Sequence, residues 1–289
     1  MNILIAIAVL GGLGLMFGLV LAAASKVFYV ETDPRLEKLN DCLPGANCGG
    51  CGYAGCGAYA EAVLRGEASI GACAAGGDEC AQAMAAIMGV KVEAVTRKVA
   101  TVRCAGRRVY DKDGNLIRGA KVKAEYEGFR DCRSASSVGG HGPLSCKYGC
   151  LGFGTCIRAC KFGAISIRGG VAEIDEDLCV GCGACYAACP RNLIAMVEPG
   201  RNTVIACASQ AKGAVTTRGC TVGCIGCGLC KKICPEDATT VEKNLAVIDY
   251  TKCVGCGLCA TVCPKKLIKD SKLANLEDPE VKSINGPAI

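Results

Sequence analysis

The spacing of the cysteines is the feature that most constrains what this chain can fold into. Eight cysteines recur at a constant offset of 74 residues. The first set is Cys146, Cys150, Cys156, Cys160, Cys179, Cys182, Cys185 and Cys189, and the second is Cys220, Cys224, Cys230, Cys234, Cys253, Cys256, Cys259 and Cys263. Composition does not produce one offset at eight positions, so we infer a duplicated supersecondary module.

The composition excludes a single large apolar core. The chain has 289 residues, of which 26 are Cys and 39 are Gly, while aromatic residues make up 4% and Trp is absent. This Cys content approaches that of a small disulfide scaffold, but the chain is too long for that class and its cysteines are bunched. Several small modules, each stabilised by something other than its apolar core, fit better. The single His, His141, excludes a His-rich metal site.

Three segments share the spacing C-x2-C-x2-C-x3-C-P. They are Cys179, Cys182, Cys185 and Cys189-Pro190; Cys224, Cys227, Cys230 and Cys234-Pro235; and Cys253, Cys256, Cys259 and Cys263-Pro264. This is the iron–sulfur sequence of bacterial two-cluster ferredoxins, in which the fourth Cys ligates the other cluster. The intervening Gly and Ala residues let the backbone approach the cluster, so that its N–H groups donate to the sulfurs.

The crossed ligation rule assigns four [4Fe-4S] clusters in this region. The predicted ligand sets are Cys160, Cys179, Cys182, Cys185; Cys234, Cys253, Cys256, Cys259; Cys224, Cys227, Cys230, Cys263; and Cys146, Cys150, Cys156, Cys189. The last set departs from the pattern, because Phe153 occupies the position of the middle Cys and Cys146 is expected to replace it. Cys220 stays an alternative to Cys227, although the spacing favours Cys227.

A different Cys-rich segment precedes the repeat. Cys48, Cys51, Cys56 and Cys73 have the spacing C-x2-C-x4-C-x16-C in a Gly-rich loop, which predicts a fifth [4Fe-4S] cluster. Six cysteines stay unassigned, namely Cys42, Cys80, Cys104, Cys132, Cys207 and Cys220. The favoured interpretation of Cys80, Cys104, Cys132 and Cys207 is that they are buried thiols, and ligands of an extra site are the alternative for Cys104, Cys132 and Cys207.

Residues 3–24 form an apolar run of 22 residues without a charge. A helix of this length spans a bilayer core of about 30 Å, so we expect one transmembrane helix, with a cleaved signal peptide as the alternative. Lys26, Arg35 and Lys38 follow the run, and the positive-inside rule leaves the bulk of the chain on the cytoplasmic side of the plasma membrane. That compartment disfavours a disulfide framework. Structural zinc has no use for three Cys at steps of three.

The predicted fold class is α+β, with a single N-terminal transmembrane helix, a small Cys-rich iron–sulfur module and two tandem bacterial 2[4Fe-4S] ferredoxin-like modules. The expected boundaries are 1–25 for the anchor, 26–39 for a juxtamembrane linker, 40–90 for the N-terminal [4Fe-4S] module, 91–142 for a connecting region with β-strands, 143–200 and 201–270 for the ferredoxin-like modules, and 271–289 for a C-terminal tail. The residue patterns predict helices over 61–65 and 78–88, strands over 95–102 and 121–126, and hairpins that join 164–168 to 171–174 and 239–241 to 245–248.

No motif for bond-making chemistry is found in the sequence. The chain has no Gly-rich dinucleotide fingerprint after a strand, no P-loop and no nucleophile–base pair, so we expect no catalytic residue and no binding of NAD or flavin. The formal net charge is +6. Each oxidised cluster with its four thiolates carries about −2, which brings the protein with five clusters to about −4.

The N-terminal helix, the loop from Leu43 to Cys56 with Cys73, and the ferredoxin repeat together resemble the B subunit of the Rnf complex, the ion-translocating ferredoxin:NAD oxidoreductase. The duplicated module is similar to the long form of this family. The resemblance implies an electron-transfer subunit of a translocase that accepts low-potential electrons from reduced ferredoxin. It passes them to the other membrane and peripheral subunits while the complex moves Na+ or H+, and no nucleic acid is involved. An iron–sulfur relay subunit of another anaerobic enzyme, or a zinc-binding interaction protein, is the alternative.

Overall fold

The computed structural model describes residues 2–28, 33–94, 96–200 and 203–270, which form short helices and two-stranded sheets. The helices are α1 (Asn2–Val27), α2 (Pro34–Asp41), α3 (Cys56–Leu64), α4 (Gly77–Met88), α5 (Cys132–Ser137), α6 (Thr155–Ala159), α7 (Ala184–Ala188), α8 (Gly213–Gly219), α9 (Leu229–Ile233) and α10 (Leu258–Thr261). The strands are β1 (Val99–Val102), β2 (Val109–Tyr110), β3 (Leu116–Arg118), β4 (Ile165–Arg168), β5 (Val171–Ile174), β6 (Ile194–Val197), β7 (Thr203–Ile205), β8 (Thr239–Glu242), β9 (Leu245–Ile248) and β10 (Ile268–Asp270).

The first helix, α1, covers the residues that the sequence analysis assigned to a membrane anchor. A helix that crosses a bilayer needs about 20 predominantly apolar residues. Within the described part of the chain, no helix has both the length and the apolar character that crossing a membrane requires. This finding contradicts the predicted transmembrane helix at residues 3–24 and the single-pass localisation in the plasma membrane that depended on it. Large side chains of α1, such as Leu10 and Phe17, are exposed.

The N-terminal Cys-rich module is built from α2, α3 and α4 around buried Leu39, Tyr59 and Met84. The predicted helix over 61–65 is the end of α3, which begins earlier, at Cys56. The predicted helix over 78–88 matches α4 to within one residue, and Gly89 ends it in the left-handed conformation at φ 68°. A residue with a Cβ is disfavoured at that φ, which is why Gly is a reliable helix stop.

The connecting region differs from its prediction. Of the strand expected over 95–102, only Val99–Val102 forms a strand, β1; residues 96–98 are not in a strand and residue 95 lies outside the described residues. The strand expected over 121–126 is wrong, because this segment forms only the isolated bridges Ala120–Cys220 and Val122–Leu144. It lies between two loops of the ferredoxin repeat, so its partners come from distant parts of the chain.

The two ferredoxin-like modules share one topology. Each contains a hairpin, β4–β5 or β8–β9, and both hairpins agree with the prediction. Each is also closed by an antiparallel pair, β1–β6 in the first and β7–β10 in the second. Val102 pairs with Ile194, and Ile205 pairs with Ile268. Ile194 and Ile268 are 74 residues apart, so Val102 and Ile205 are equivalent positions and the duplication extends to the strands that precede each module.

Candidate metal centres

Four of the five predicted ligand sets line single cavities. The sets are Cys48, Cys51, Cys56, Cys73; Cys224, Cys227, Cys230, Cys263; Cys160, Cys179, Cys182, Cys185; and Cys234, Cys253, Cys256, Cys259. Their cavities hold about 320 to 370 Å³ of empty space, part of it open to solvent. Cys227 therefore lines the cavity that its spacing predicts, while Cys220 lines a different one.

Each ferredoxin-type loop turns into a short helix through a glycine. Gly154, Gly183, Gly228 and Gly257 precede α6, α7, α9 and α10, with φ between 73° and 77°. This left-handed conformation favours Gly and lets the loop fold back around the cavity. Backbone N–H groups reach the sulfurs, since the N–H of Ala100 donates to Sγ of Cys179 at 3.4 Å. Such N–H donors stabilise the charge on cluster sulfurs.

Cys146 lines a cavity whose lining does not include Cys150, Cys156 or Cys189, the other members of its predicted set. The thiolate neighbours that act on Cys156 are Cys150, Cys132 and Cys189, and burial together with these charges raises the pKa of Cys156 to about 12. Cys132 and Cys189 are also the thiolate neighbours of Cys150. Cys132 is therefore a neighbour of Cys150 and Cys156, beside which the sequence analysis predicted Cys146 as the further ligand.

A hydrogen-bond network fixes Cys132 at the start of α5. Asp131 caps this helix by accepting from the N–H of Arg133 at 2.7 Å and from Ser134 at 3.2 Å. Thr155 Oγ1 accepts from the N–H of Cys132 at 2.8 Å and donates to the Asp131 carboxylate at 2.8 Å. The bond from Thr155 is the main cause that lowers the pKa of Asp131 to about 2. The network joins α5 to α6 and so brings Cys132 to the loop of the first module.

Burial holds many of the thiols in their protonated form. It raises the pKa of Cys104 to about 12 and the pKa of Cys185, Cys220 and Cys259 to about 11. A buried thiolate without a compensating positive charge is costly, which is the cause of these shifts. Because metals bind thiolates, binding of a metal or cluster at any of these thiols would release protons.

Three cysteines that the sequence analysis left unassigned line one further cavity together with Cys146. They are Cys104, Cys207 and Cys220. A second repeat in the sequence points to Cys104 and Cys207. The segments Val102-Arg103-Cys104-Ala105 and Ile205-Ala206-Cys207-Ala208 begin at the last residues of two equivalent strands. The offset of this repeat is not 74 residues, so the search at that offset missed it.

The cavities are neighbours along the molecule. Cys182 lines its own cavity and also that of Cys48, Cys51, Cys56 and Cys73. Lys161 of the first ferredoxin-like module contacts the N-terminal module next to this pair of cavities, because its Nζ donates to the backbone oxygen of Asn47 at 3.0 Å. The described residues include all 26 cysteines and none is in a disulfide. Nor do three or more His, Cys, Asp or Glu side chains in the described chain gather as a single metal ion requires.

The Cys-lined cavities, the glycine-turned loops and the small hairpins define an iron–sulfur protein of the ferredoxin class. Family comparisons agree, since a 4Fe-4S dicluster domain matches residues 223–267, a 4Fe-4S binding domain matches 172–195, and an Fe-S cluster family matches 43–75.

Named relatives then identify the family. The chain is 45% identical to the B subunit of the Na+-translocating ferredoxin:NAD+ oxidoreductase complex of Acetobacterium woodii, over 86% of this chain and 72% of the relative. It is 42% identical to the B subunit of the proton-translocating complex of Clostridium ljungdahlii, over 86% and 84%, and 40% identical to the B subunit of the ion-translocating oxidoreductase complex of Methanosarcina acetivorans, over 85% and 90%. The chain belongs to the family of Rnf complex B subunits, and it is an electron-transfer subunit, as the resemblance implied.

Proposed function

We propose that this chain takes low-potential electrons from reduced ferredoxin and delivers them to the other subunits of an ion-translocating ferredoxin:NAD oxidoreductase complex. The observation that carries the proposal is the placement of four complete Cys quartets around four cavities of similar size. Bound [4Fe-4S] clusters supply one-electron redox chemistry at such sites.

The residues present suit four-iron clusters. Each cavity offers four sulfurs from a Gly-rich loop and one remote segment, which is the donor set of bacterial ferredoxins. We propose these quartets as ligand sets, together with a fifth set made of Cys132, Cys150, Cys156 and Cys189. In that set Cys132 takes the role first given to Cys146, because it is the thiol that acts on Cys150 and Cys156.

The protein's own groups orient and insulate these sites. Glycines and backbone N–H groups approach the sulfurs closely, and most ligand thiols are buried or half-buried, which keeps water away. Cys227 and Cys256 are exposed at the second ferredoxin-like module. An exposed ligand is the shortest route between a buried site and a partner protein, so this module supports docking of a redox partner.

The test uses the full chain purified without oxygen. Mixed with a reduced low-potential ferredoxin, it should lose visible absorbance and gain the paramagnetic resonance signals of reduced clusters, while the ferredoxin is oxidised by an equal number of electrons. Iron analysis should give about 20 Fe per chain or more.

The control is Cys42→Ala, because the Cys42 thiol donates to the backbone oxygen of Lys38 at 3.2 Å and does not line the cavity of Cys48, Cys51, Cys56 and Cys73. This variant should keep the iron and the electron uptake. An iron-loaded chain that ferredoxin cannot reduce would contradict ferredoxin as donor. Colourless protein with stoichiometric zinc would contradict the relay itself.

A further inference from the structure

We propose that Cys104, Cys146, Cys207 and Cys220 ligate a sixth [4Fe-4S] cluster at the junction of the two ferredoxin-like modules. The inference rests on the proposed function, because it adds a site of the same kind. The four side chains line one cavity with about 340 Å³ of empty space. That volume falls within the range of 320 to 370 Å³ of the four cavities described above.

The site has the symmetry of the duplication. Cys146 and Cys220 are equivalent positions of the 74-residue repeat. Cys104 and Cys207 are equivalent too, because each lies two residues beyond the end of the strand that closes its module. Each module therefore supplies two of the four sulfurs, one from the closing strand and one from the loop.

Backbone donors repeat this symmetry in detail. The N–H of Cys150 donates to Sγ of Cys104 at 3.4 Å, and the N–H of Cys224 donates to Sγ of Cys207 at 3.3 Å. The N–H of Ser209 also donates to Sγ of Cys207, at 3.5 Å. Donation of N–H groups to sulfur is the outer-shell arrangement of cluster ligands.

The segment over 119–123 draws the two loops together. The N–H of Lys121 donates to the backbone oxygen of Gly219 at 2.9 Å, and the backbone oxygen of Lys121 accepts from Ser145 at 2.8 Å. Gly219 and Ser145 directly precede Cys220 and Cys146. The sequence analysis expected a strand over 121–126, and in the structure this part of the chain instead connects the loops of the two modules.

The arrangement suits a cluster better than a single ion. Zinc would need four sulfurs about 2.3 Å from one centre, and the described residues hold no group of three or more potential ligands arranged in that way. The wall between the sulfurs is formed by small residues, including Ala105, Gly106, Ala120 and Gly149. Walls of Gly and Ala also surround the ferredoxin-type loops, where they leave room for the cube.

Iron and inorganic sulfide counts on the full chain test the inference, with Mössbauer spectra to count clusters. Wild-type protein reconstituted without oxygen should hold about 24 Fe per chain. Cys207→Ala and Cys220→Ala should each hold about 20, and because both residues serve one site the double variant should also hold about 20. The matched control Cys42→Ala should stay at about 24.

Circular dichroism distinguishes the loss of one cluster from misfolding, because a variant that loses only one cluster should keep the helix and strand signals of the wild type. A wild-type content of about 20 Fe, unchanged in Cys207→Ala, would overturn the sixth site and leave the proposed function standing. One zinc per chain, lost in Cys207→Ala, would overturn the cluster in favour of a zinc site. Protein without any iron would overturn the sixth site and the proposed function together.

Discussion

Gly50 lies so close to the backbone of Cys182 that a Cβ atom at Gly50 would overlap the Cys182 carbonyl oxygen. Gly50 is in the loop of the N-terminal module, and Cys182 is a proposed ligand in the first ferredoxin-like module. The contact therefore sets the separation between two neighbouring sites, and only a residue without a side chain permits it. Together with the Lys161–Asn47 bond, it holds the N-terminal module against the repeat.

Replacement of Gly50 by Ala should push the two modules apart. The new Cβ meets backbone, which cannot swing away as a side chain can, so we expect a loss of about 1–3 kcal/mol in the free energy of unfolding. Anaerobic denaturant unfolding measures this loss. Iron content should be unchanged, whereas electron uptake that depends on both sites should slow.

Gly57→Ala is the matched control, because a Cβ there meets only Asn40 Oδ1 at 3.8 Å, an ordinary contact. Gly57 lies in α3, where Ala is the better helix former, so the free energy of unfolding should stay level or rise by up to about 1 kcal/mol. Equal behaviour of the two variants would show that the Gly50 contact does not govern the docking.

Cys132→Ala should remove about four Fe per chain, because we propose Cys132 as the ligand in place of the middle cysteine, whose position Phe153 occupies. Adding Phe153→Cys to this variant should restore the iron, since the change recreates the spacing of the second repeat. Iron analysis and Mössbauer spectra of the two variants check this. The Phe153→Cys change also removes the contact between the rings of Phe153 and Tyr126, whose centroids are 5.3 Å apart. The loss of this contact should lower the free energy of unfolding by about 0.5–1.5 kcal/mol.

A double variant decides between Cys132 and Cys146 as the ligand beside Cys150. If the two cysteines belong to separate sites, Cys132→Ala combined with Cys146→Ala should lose about eight Fe. A loss of about four Fe in the double variant, with no loss in Cys132→Ala alone, would return Cys146 to the set that the sequence spacing suggested.

Asp131→Ala should lower the occupancy of the site that contains Cys132. The change removes the N-cap of α5, a loss of about 0.5–2 kcal/mol, and frees Thr155 from its carboxylate partner. Asp131→Asn keeps an oxygen to cap the helix, so it should retain most of the iron. Thermal unfolding and iron analysis at neutral pH compare the variants. Equal losses would mean that the ion pair with Arg158, rather than the cap, positions Cys132.

Arg191 should raise the reduction potential of the sites beside it. Its half-buried guanidinium donates to the backbone oxygen of Cys146 at 3.3 Å and also to Gly149. Burial lowers its pKa, and the thiolates of Cys146, Cys150 and Cys132 oppose that shift. A nearby positive charge favours the reduced state, which carries one more negative charge.

Arg191→Met should therefore lower these potentials by an amount on the order of tens of millivolts. Arg191→Lys should lower them less, because it keeps the charge. Redox titrations followed by paramagnetic resonance measure the change. Arg168→Met is the control, since its side chain is 70% exposed and solvent screens its charge. Equal potentials in all four proteins would contradict a role for Arg191.

Local signals made much of the fold predictable. The hairpins β4–β5 and β8–β9 follow from alternating residues around tight turns, and Gly89 marked the end of α4 because its backbone is left-handed. The segment over 121–126 was misjudged, since its pattern suits a strand but its partners are loops far away in the sequence. The membrane helix was inferred from apolar length alone, and the structural finding contradicts it.

The Cys quartets that line a common cavity were predictable where one motif supplies three of the four cysteines. The sequence analysis did not propose Cys132 as a ligand, because hydrogen bonds through Asp131 and Thr155 hold it at the start of α5, next to α6, and no spacing rule encodes such contacts. The sequence analysis did not recognise Cys104 and Cys207 as equivalent positions, because the pairing of strands, rather than the spacing of cysteines in a loop, makes them equivalent. Contacts that tertiary structure creates between modules leave little trace in a motif.

The pairing of β7 with β10 closes the second ferredoxin-like module only after nearly all of the described chain has been synthesised. Cys104 and Cys146 leave the ribosome well before Cys207 and Cys220, and β10 is the last described strand. A nascent chain that ends after the first module carries only half of the junction site. The proposed site at the junction can therefore be loaded only after both ferredoxin-like modules have been synthesised.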